Sequence, residues 1–132
     1  YAEKILQREG VKYNKLHMPL NSESEAVATV FQSAGIIIGA PTYEYKLFPP
    51  VAAALSELGR KRITGKTAFR FGSYGWSGGA EKELKEIVER NNMKWDFVES
   101  VEFEGAPKEE HFAKVEAGVM ELLKKMREKV VE

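Results

Sequence analysis

The 132-residue chain balances 20 Lys and Arg against 20 Asp and Glu, so no net field draws it toward nucleic acid or an anionic membrane surface. It has no cysteine, which excludes disulfides and thiolate metal or redox sites and fits a cytoplasmic address. No run of about eighteen apolar residues occurs, so no membrane-spanning helix is expected, and the length suits one domain around one core.

Tyr1 stands where a start methionine would, and residues 1–9 read as the last turns of a helix that Gly10 stops. The beginning of something is expected upstream. Residues 11–18 have the mixed polarity of an edge strand closed by Pro19. Ser22 is placed to cap a helix, with Glu25 three residues on as its capping-box partner and Ala26, Val27, Val30 and Phe31 at helical spacing. Residues 34–40 form a continuous apolar run without alternation, the signature of a central strand covered on both faces. Pro49 and Pro50 suit a first helical turn, where no N–H is needed, and Val51, Ala54, Leu55 and Leu58 give that helix one apolar face before Gly59 ends it. Residues 67–71 predict the next strand, and Ala80, Leu84, Ile87 and Val88 the next helix, as far as Asn91. Trp95, Phe97, Val101 and Phe103 alternate with polar neighbours, which predicts a far-edge strand with one wet face. The last helix, about 108–130, carries Phe112, Val115, Val119, Leu122, Leu123 and Met126 on one stripe. Strands separated by helices imply a mostly parallel sheet, right-handed crossovers and helices on both faces, an α/β three-layer domain.

Two loops stand out against that frame. Phe69-Arg70-Phe71-Gly72-Ser73-Tyr74-Gly75-Trp76-Ser77-Gly78-Gly79-Ala80 runs from strand to helix through four glycines, two serines and two further aromatics. A tight turn needs one or two glycines and no large rings on a surface loop. Glycines let backbone N–H groups turn toward a ligand, and Tyr74 and Trp76 can lie flat on a ring. Gly39-Ala40-Pro41-Thr42-Tyr43-Glu44-Tyr45 follows the apolar strand in the same way. Alone it reads equally well as a surface turn with aromatic packing, and Lys46, Leu47 and Phe48 as closure onto the next helix. Together, at one edge of a parallel sheet, the two loops make the kind of crevice where open α/β folds bind ligands. The glycine spacing matches neither G-x-G-x-x-G nor G-x-x-x-x-G-K-[ST], so dinucleotide and triphosphate folds are not indicated. His17 and His111 are isolated and no metal is assigned. Ser73 and Ser77 have no His/Asp partners and read as hydrogen-bonding groups, not nucleophiles.

Gly39 to Tyr43, joined to Phe71-Gly72-Ser73-Tyr74-Gly75-Trp76-Ser77-Gly78-Gly79-Ala80, resembles the flavodoxin-like C-terminal domain of flavodiiron proteins, also called A-type flavoproteins. The likeness runs from Tyr1 to about Leu123. It implies FMN, a sheet of order 2-1-3-4-5, and one- or two-electron transfer. By that resemblance Pro41, Thr42, Tyr43 and Glu44 line one side of the isoalloxazine ring, and Ser73, Tyr74, Gly75, Trp76, Gly78 and Gly79 the other. Glu44 replaces an expected Asn, and its carboxylate should disfavour the reduced, anionic ring. Residues 1–132 are then one flavodoxin-like domain incomplete at its N-terminus, because the family's first strand and its Ser/Thr-rich phosphate loop would lie upstream of Tyr1. FMN binding is expected to suffer accordingly. The diiron ligands, an H-x-E-x-D-H type cluster with further His and Asp, are not in this sequence, so a diiron site reducing O2 or NO belongs to another domain of the same protein. A rubredoxin-like or flavin-reductase donor and a homo-oligomer complete the picture. Two alternatives stay open: a flavodoxin-type quinone reductase, and a cofactor-free flavodoxin-like domain serving binding or assembly.

Overall fold

β4 (Thr67–Tyr74) is the axis on which the other elements are arranged in the computed structural model, which describes residues 1–18, 20–43, 46–74 and 79–131. On one side it pairs in parallel with β1 (Gly35–Gly39), Gly35 opposite Thr67 and Gly39 opposite Phe71. On the other side lie β5 (Asp96–Phe97) beside its first half and β6 (Val101–Glu104) beside its second, both parallel. Helices α2 (Glu23–Phe31), α3 (Pro49–Arg60) and α4 (Ala80–Arg90) cover one face, where Val30, Ile38, Leu55, Leu58, Ala68, Leu84 and Ile87 form a core. Helices α1 (Ala2–Arg8) and α5 (Glu109–Val131) cover the other with Ile5, Leu6, Phe69, Val115, Val119 and Leu122. This is an α/β fold of flavodoxin-like type in three layers. The isoleucine run explains the absence of alternation in β1: Ile36 and Ile38 join the first core, Ile37 the second.

Local chemistry sets the helix ends. Ser22 Oγ accepts the Glu25 N–H at 3.1 Å and Glu25 returns a carboxylate oxygen to the Ser22 N–H, the reciprocal cap read from the sequence. Hydrogen bonds from Asn21 and Ser22 hold the Glu25 carboxyl below its usual range. Gly10 follows α1 at φ +69°, where a side chain would be strained. α3 opens on Pro49 and Pro50.

Four expectations need correction. Residues 11–17 form no strand among the described residues, although their polarity suggested one; a strand exists only through its ladder, and none reaches them. Pro19 lies outside the described residues. β1 is an edge in the described sheet, and β4 takes the central place. Gly59 does not end α3, which continues to Arg60. It sits buried inside the helix because a Cβ there would meet Asn91 Cγ at 2.5 Å. The alternating segment 95–104 is two short strands, and the interruption at 98–100 shifts the phase. Trp95 and Phe97 face the α3–α4 core, whereas Val98 and Val101 face α5. Its polar residues do not share one wet face: Glu102 meets the buried Arg70 at 3.0 Å, whereas Glu104 is exposed and Asp96, its side chain 45% exposed, meets Lys125 at 3.2 Å.

Candidate functional site

Parallel pairing of β1 and β4 puts their C-terminal ends at one edge, and the two loops singled out from the sequence leave from there. The ladder continues one residue past β1, where the Ala40 N–H donates to the Phe71 carbonyl at 3.0 Å. Beyond Pro41, β2 (Thr42–Tyr43) and β3 (Lys46–Leu47) make a small antiparallel hairpin, Thr42 opposite Leu47. The Phe48 N–H closes its base on the Pro41 carbonyl at 3.1 Å. Leu47, 1% exposed, anchors the hairpin in the α3–α4 core, as the closure reading expected. β2 then lies against β4, and β3 against α4.

Helix α4 starts at the end of the glycine loop with Gly79 as its N-cap, which has no side chain to cap with. Thr42 supplies the missing acceptor: the Ala80 N–H donates to Thr42 Oγ1 at 3.4 Å. The hairpin after β1 thus reaches across to the N-terminus of α4, which one of its residues holds. Closeness is enforced at Gly72, where a Cβ would fall 1.8 Å from the Ala40 carbonyl oxygen.

Of the sequence-selected residues, Pro41 is exposed at this edge, while Thr42, Ser73, Tyr74 and Gly79 are half-buried there. Tyr43 lies in β2. Glu44, Gly75, Trp76 and Gly78 lie outside the described residues. Ser73 and Tyr74 belong to β4 itself, one turn of the ladder longer than expected, and pair with Phe103 and Glu104 of β6. Hydroxyls from Thr42, Ser73 and Tyr74 give this edge hydrogen-bonding groups, and the half-buried Tyr74 adds a ring. That composition fits a planar, polar-rimmed ring such as a flavin.

Sequence reasoning missed Arg70, Glu81 and Glu102. Arg70 is fully buried on the α3–α4 face, directly beneath the first loop, with Nη2 donating to the Ala40 carbonyl at 2.7 Å. Its Nη1 stands 3.0 Å from Glu102 Oε2 and 3.6 Å from Glu81 Oε2. The available signal was a lone charge inside the otherwise uncharged strand Thr67-Ala68-Phe69-Arg70-Phe71.

His111 Nδ1 accepts the Lys108 N–H at the start of α5, and its ring packs on Phe103, the β6 residue opposite Ser73. Among the described residues no three His, Asp or Glu side chains gather to hold a metal ion, and no helix is long and apolar enough to cross a membrane.

No protein-family model matches the chain. It is 38% identical over 76 residues, 58% of its length, to the anaerobic nitric oxide reductase flavorubredoxin of Pectobacterium carotovorum subsp. carotovorum, of which the match spans 15%. Its fold superposes on rubredoxin oxygen:oxidoreductase from Desulfovibrio gigas with a TM-score of 0.90 at 20% identity, covering 99% of this chain and 32% of that one. For the flavo di-iron protein of Thermotoga maritima the values are 0.76 and 25%, over 95% and 31% of the two chains. A flavodoxin from the domain Archaea gives 0.75 at 17% identity, over 96% and 85%. The resemblance to the flavodoxin-like domain of flavodiiron proteins that the two loop motifs carry is borne out, and the chain spans about a third or less of the flavodiiron relatives it matches.

Proposed function

We propose that this chain is the FMN-type electron-transfer module of a flavodiiron-type oxidoreductase, receiving electrons from a rubredoxin-like or flavin-reductase donor for a diiron O2- or NO-reducing site on another domain of the same protein. The observation that carries this reading is the coupling of the two aromatic, glycine-rich loops at the C-terminal edge of β1 and β4, through Ala40 to Phe71 and Thr42 to Ala80. When bound, FMN supplies one- and two-electron redox chemistry. The chain's own task is positioning. Pro41, Thr42, Tyr43 and Glu44 form one wall, and Ser73, Tyr74, Gly75, Trp76, Gly78 and Gly79 the other. Ring faces on Tyr43, Tyr74 and Trp76 stack and keep water away, while the hydroxyls of Thr42 and Ser73 and the loop N–H groups hold the polar rim. Glu44 adds a negative charge to one wall, so Glu44→Gln should raise the flavin potential. The protein is cytoplasmic and a homo-oligomer in this reading.

The test is a donor experiment on the full-length protein loaded with FMN. Reduced rubredoxin or a flavin reductase should bleach the flavin absorbance under anaerobic conditions, and NADH alone should not. Bleaching by NADH alone would favour the quinone-reductase reading instead. Failure of the folded full-length protein to retain FMN would sink both.

A further inference from the structure

Arg70 is a cation inserted between Phe69 and Phe71, with its side chain wholly withdrawn from water. Burial strips a guanidinium of hydration, and exchanging a buried ion pair for packed apolar side chains is frequently neutral or stabilising. Stability therefore gives no reason for an arginine where a leucine or methionine would join the α3–α4 core. The geometry supplies a different one. Glu102 from β6 and Glu81 from α4 flank Nη1 at 3.0 and 3.6 Å, yet among the described residues Arg70 Nε and Nη1 and the facing Oε2 atoms of both glutamates make no aligned hydrogen bond. The cluster's aligned bond among the described residues runs from Nη2 to the Ala40 carbonyl at 2.7 Å. Ala40 is where β1 turns into the first ligand loop. Its N–H is spent on Phe71, its carbonyl on Arg70, and Pro41 after it has no N–H to offer. Gly72 leaves the room: a Cβ there would stand 2.8 Å from Arg70 Nη2.

We infer that Arg70 is a positioning residue for the ligand loop. The two carboxylates aim the guanidinium from neighbouring elements, and the guanidinium fixes the direction in which residues 41–43 leave the sheet, so that β6 and α4 are coupled to the first wall of the crevice. That the ligand is a flavin rests on the function proposed above; the positioning role does not.

Arg70→Lys keeps a cation for the carboxylates but lacks the second arm for Ala40, and Arg70→Met removes both. Amide hydrogen exchange on the 132-residue chain reads the loop without any ligand. In Arg70→Lys the Ala40 and Phe48 amides should exchange at least tenfold faster than in the parent chain, while Ile38 in the β1 ladder and Val119 in α5 stay within twofold. A merely structural role would instead raise exchange at all four positions together. Uniform loss of protection, or no change at Ala40 and Phe48, overturns the inference. Should Arg70→Met fail to fold, Arg70→Lys decides alone. Riboflavin titrated into the same samples should bind at least tenfold more weakly to Arg70→Lys; equal affinity with selectively loosened amides would also count against it. If the parent chain binds no riboflavin, the flavin assignment fails, and the exchange pattern still decides the role of Arg70.

Discussion

Gly72→Ala should destabilise this chain far more than its single added methyl suggests. The new Cβ would fall 1.8 Å from the Ala40 carbonyl oxygen, 2.7 Å from its carbon and 2.8 Å from Arg70 Nη2. An ordinary carbon–oxygen contact is near 3.3 Å, so Ala40 must retreat by about 1.5 Å or β4 must bow away from it. Retreat lengthens two bonds at once, Arg70 Nη2 to Ala40 at 2.7 Å and the Ala40 N–H to Phe71 at 3.0 Å. Overpacking in a closed site costs about 1–3 kcal/mol, and loss of a hydrogen bond to a charged group about 1.5–3 kcal/mol. The sum is ~2.5–6 kcal/mol. For a chain of this length that corresponds to a fall in Tm of roughly 10–25 °C. Gly10→Ala is the matched control: φ is +69° with no atom within 4 Å of the new Cβ, so only backbone strain of ~1–2 kcal/mol enters. Urea denaturation and calorimetry of both variants give the comparison. A Gly72→Ala variant no less stable than Gly10→Ala would refute the close approach of the two loops.

Gly118→Ala drives a Cβ to 2.3 Å from the ring of the fully buried Phe69, so a loss of ~1–3 kcal/mol with displaced ring resonances of Phe69 is expected; unchanged NMR shifts would contradict this packing. Trp95→Phe deletes the indole N–H that donates to the buried Ile63 carbonyl at 3.0 Å, and chemical denaturation should show a loss of ~1–3 kcal/mol, a change below about 0.5 kcal/mol counting against the bond. The Glu25 carboxyl is depressed in the fold by Asn21 and Ser22. Its contribution is therefore fully present above the unfolded glutamate value of about 4.3 and lost as pH falls through the lower folded value. Amide exchange in the first turn of α2 should accelerate only in that acid window, and Ser22→Ala should flatten the dependence; acceleration beginning near neutrality would be inconsistent with the cap.

Helices were legible because their ends carry local chemistry: Ser22 with Glu25, Pro49 with Pro50, and the apolar stripe of α5 need no distant partner to be recognised. The sheet was less so. Residues 11–17 have strand-like polarity, but pairing is a tertiary event that polarity alone does not establish. At 95–104 a period of two was real within each half, and the inserted residues that shift Val101 to the opposite face from Phe97 leave no mark in the alternation. Gly59 shows the same ambiguity, since a glycine near a helix end can be a stop or a point of close approach, and only Asn91 distinguishes them. The loops announced themselves through composition, and their adjacency followed from parallel pairing of β1 and β4. Arg70 was overlooked because a single charge in a strand usually points to solvent, and its partners Glu81 and Glu102 are eleven and thirty-two positions away in a chain rich in glutamate.

The claim on which the rest depends is that the loops after β1 and β4 bound one flavin-ring site. Riboflavin, which presents the ring without a phosphate, tests it when titrated into the isotopically labelled chain and followed by amide NMR. The largest shift changes are predicted at residues 40–43, 72–74 and 79–80, with α1 and α5 silent. Changes concentrated on α1 and α5, or none up to the solubility limit of riboflavin, would contradict it.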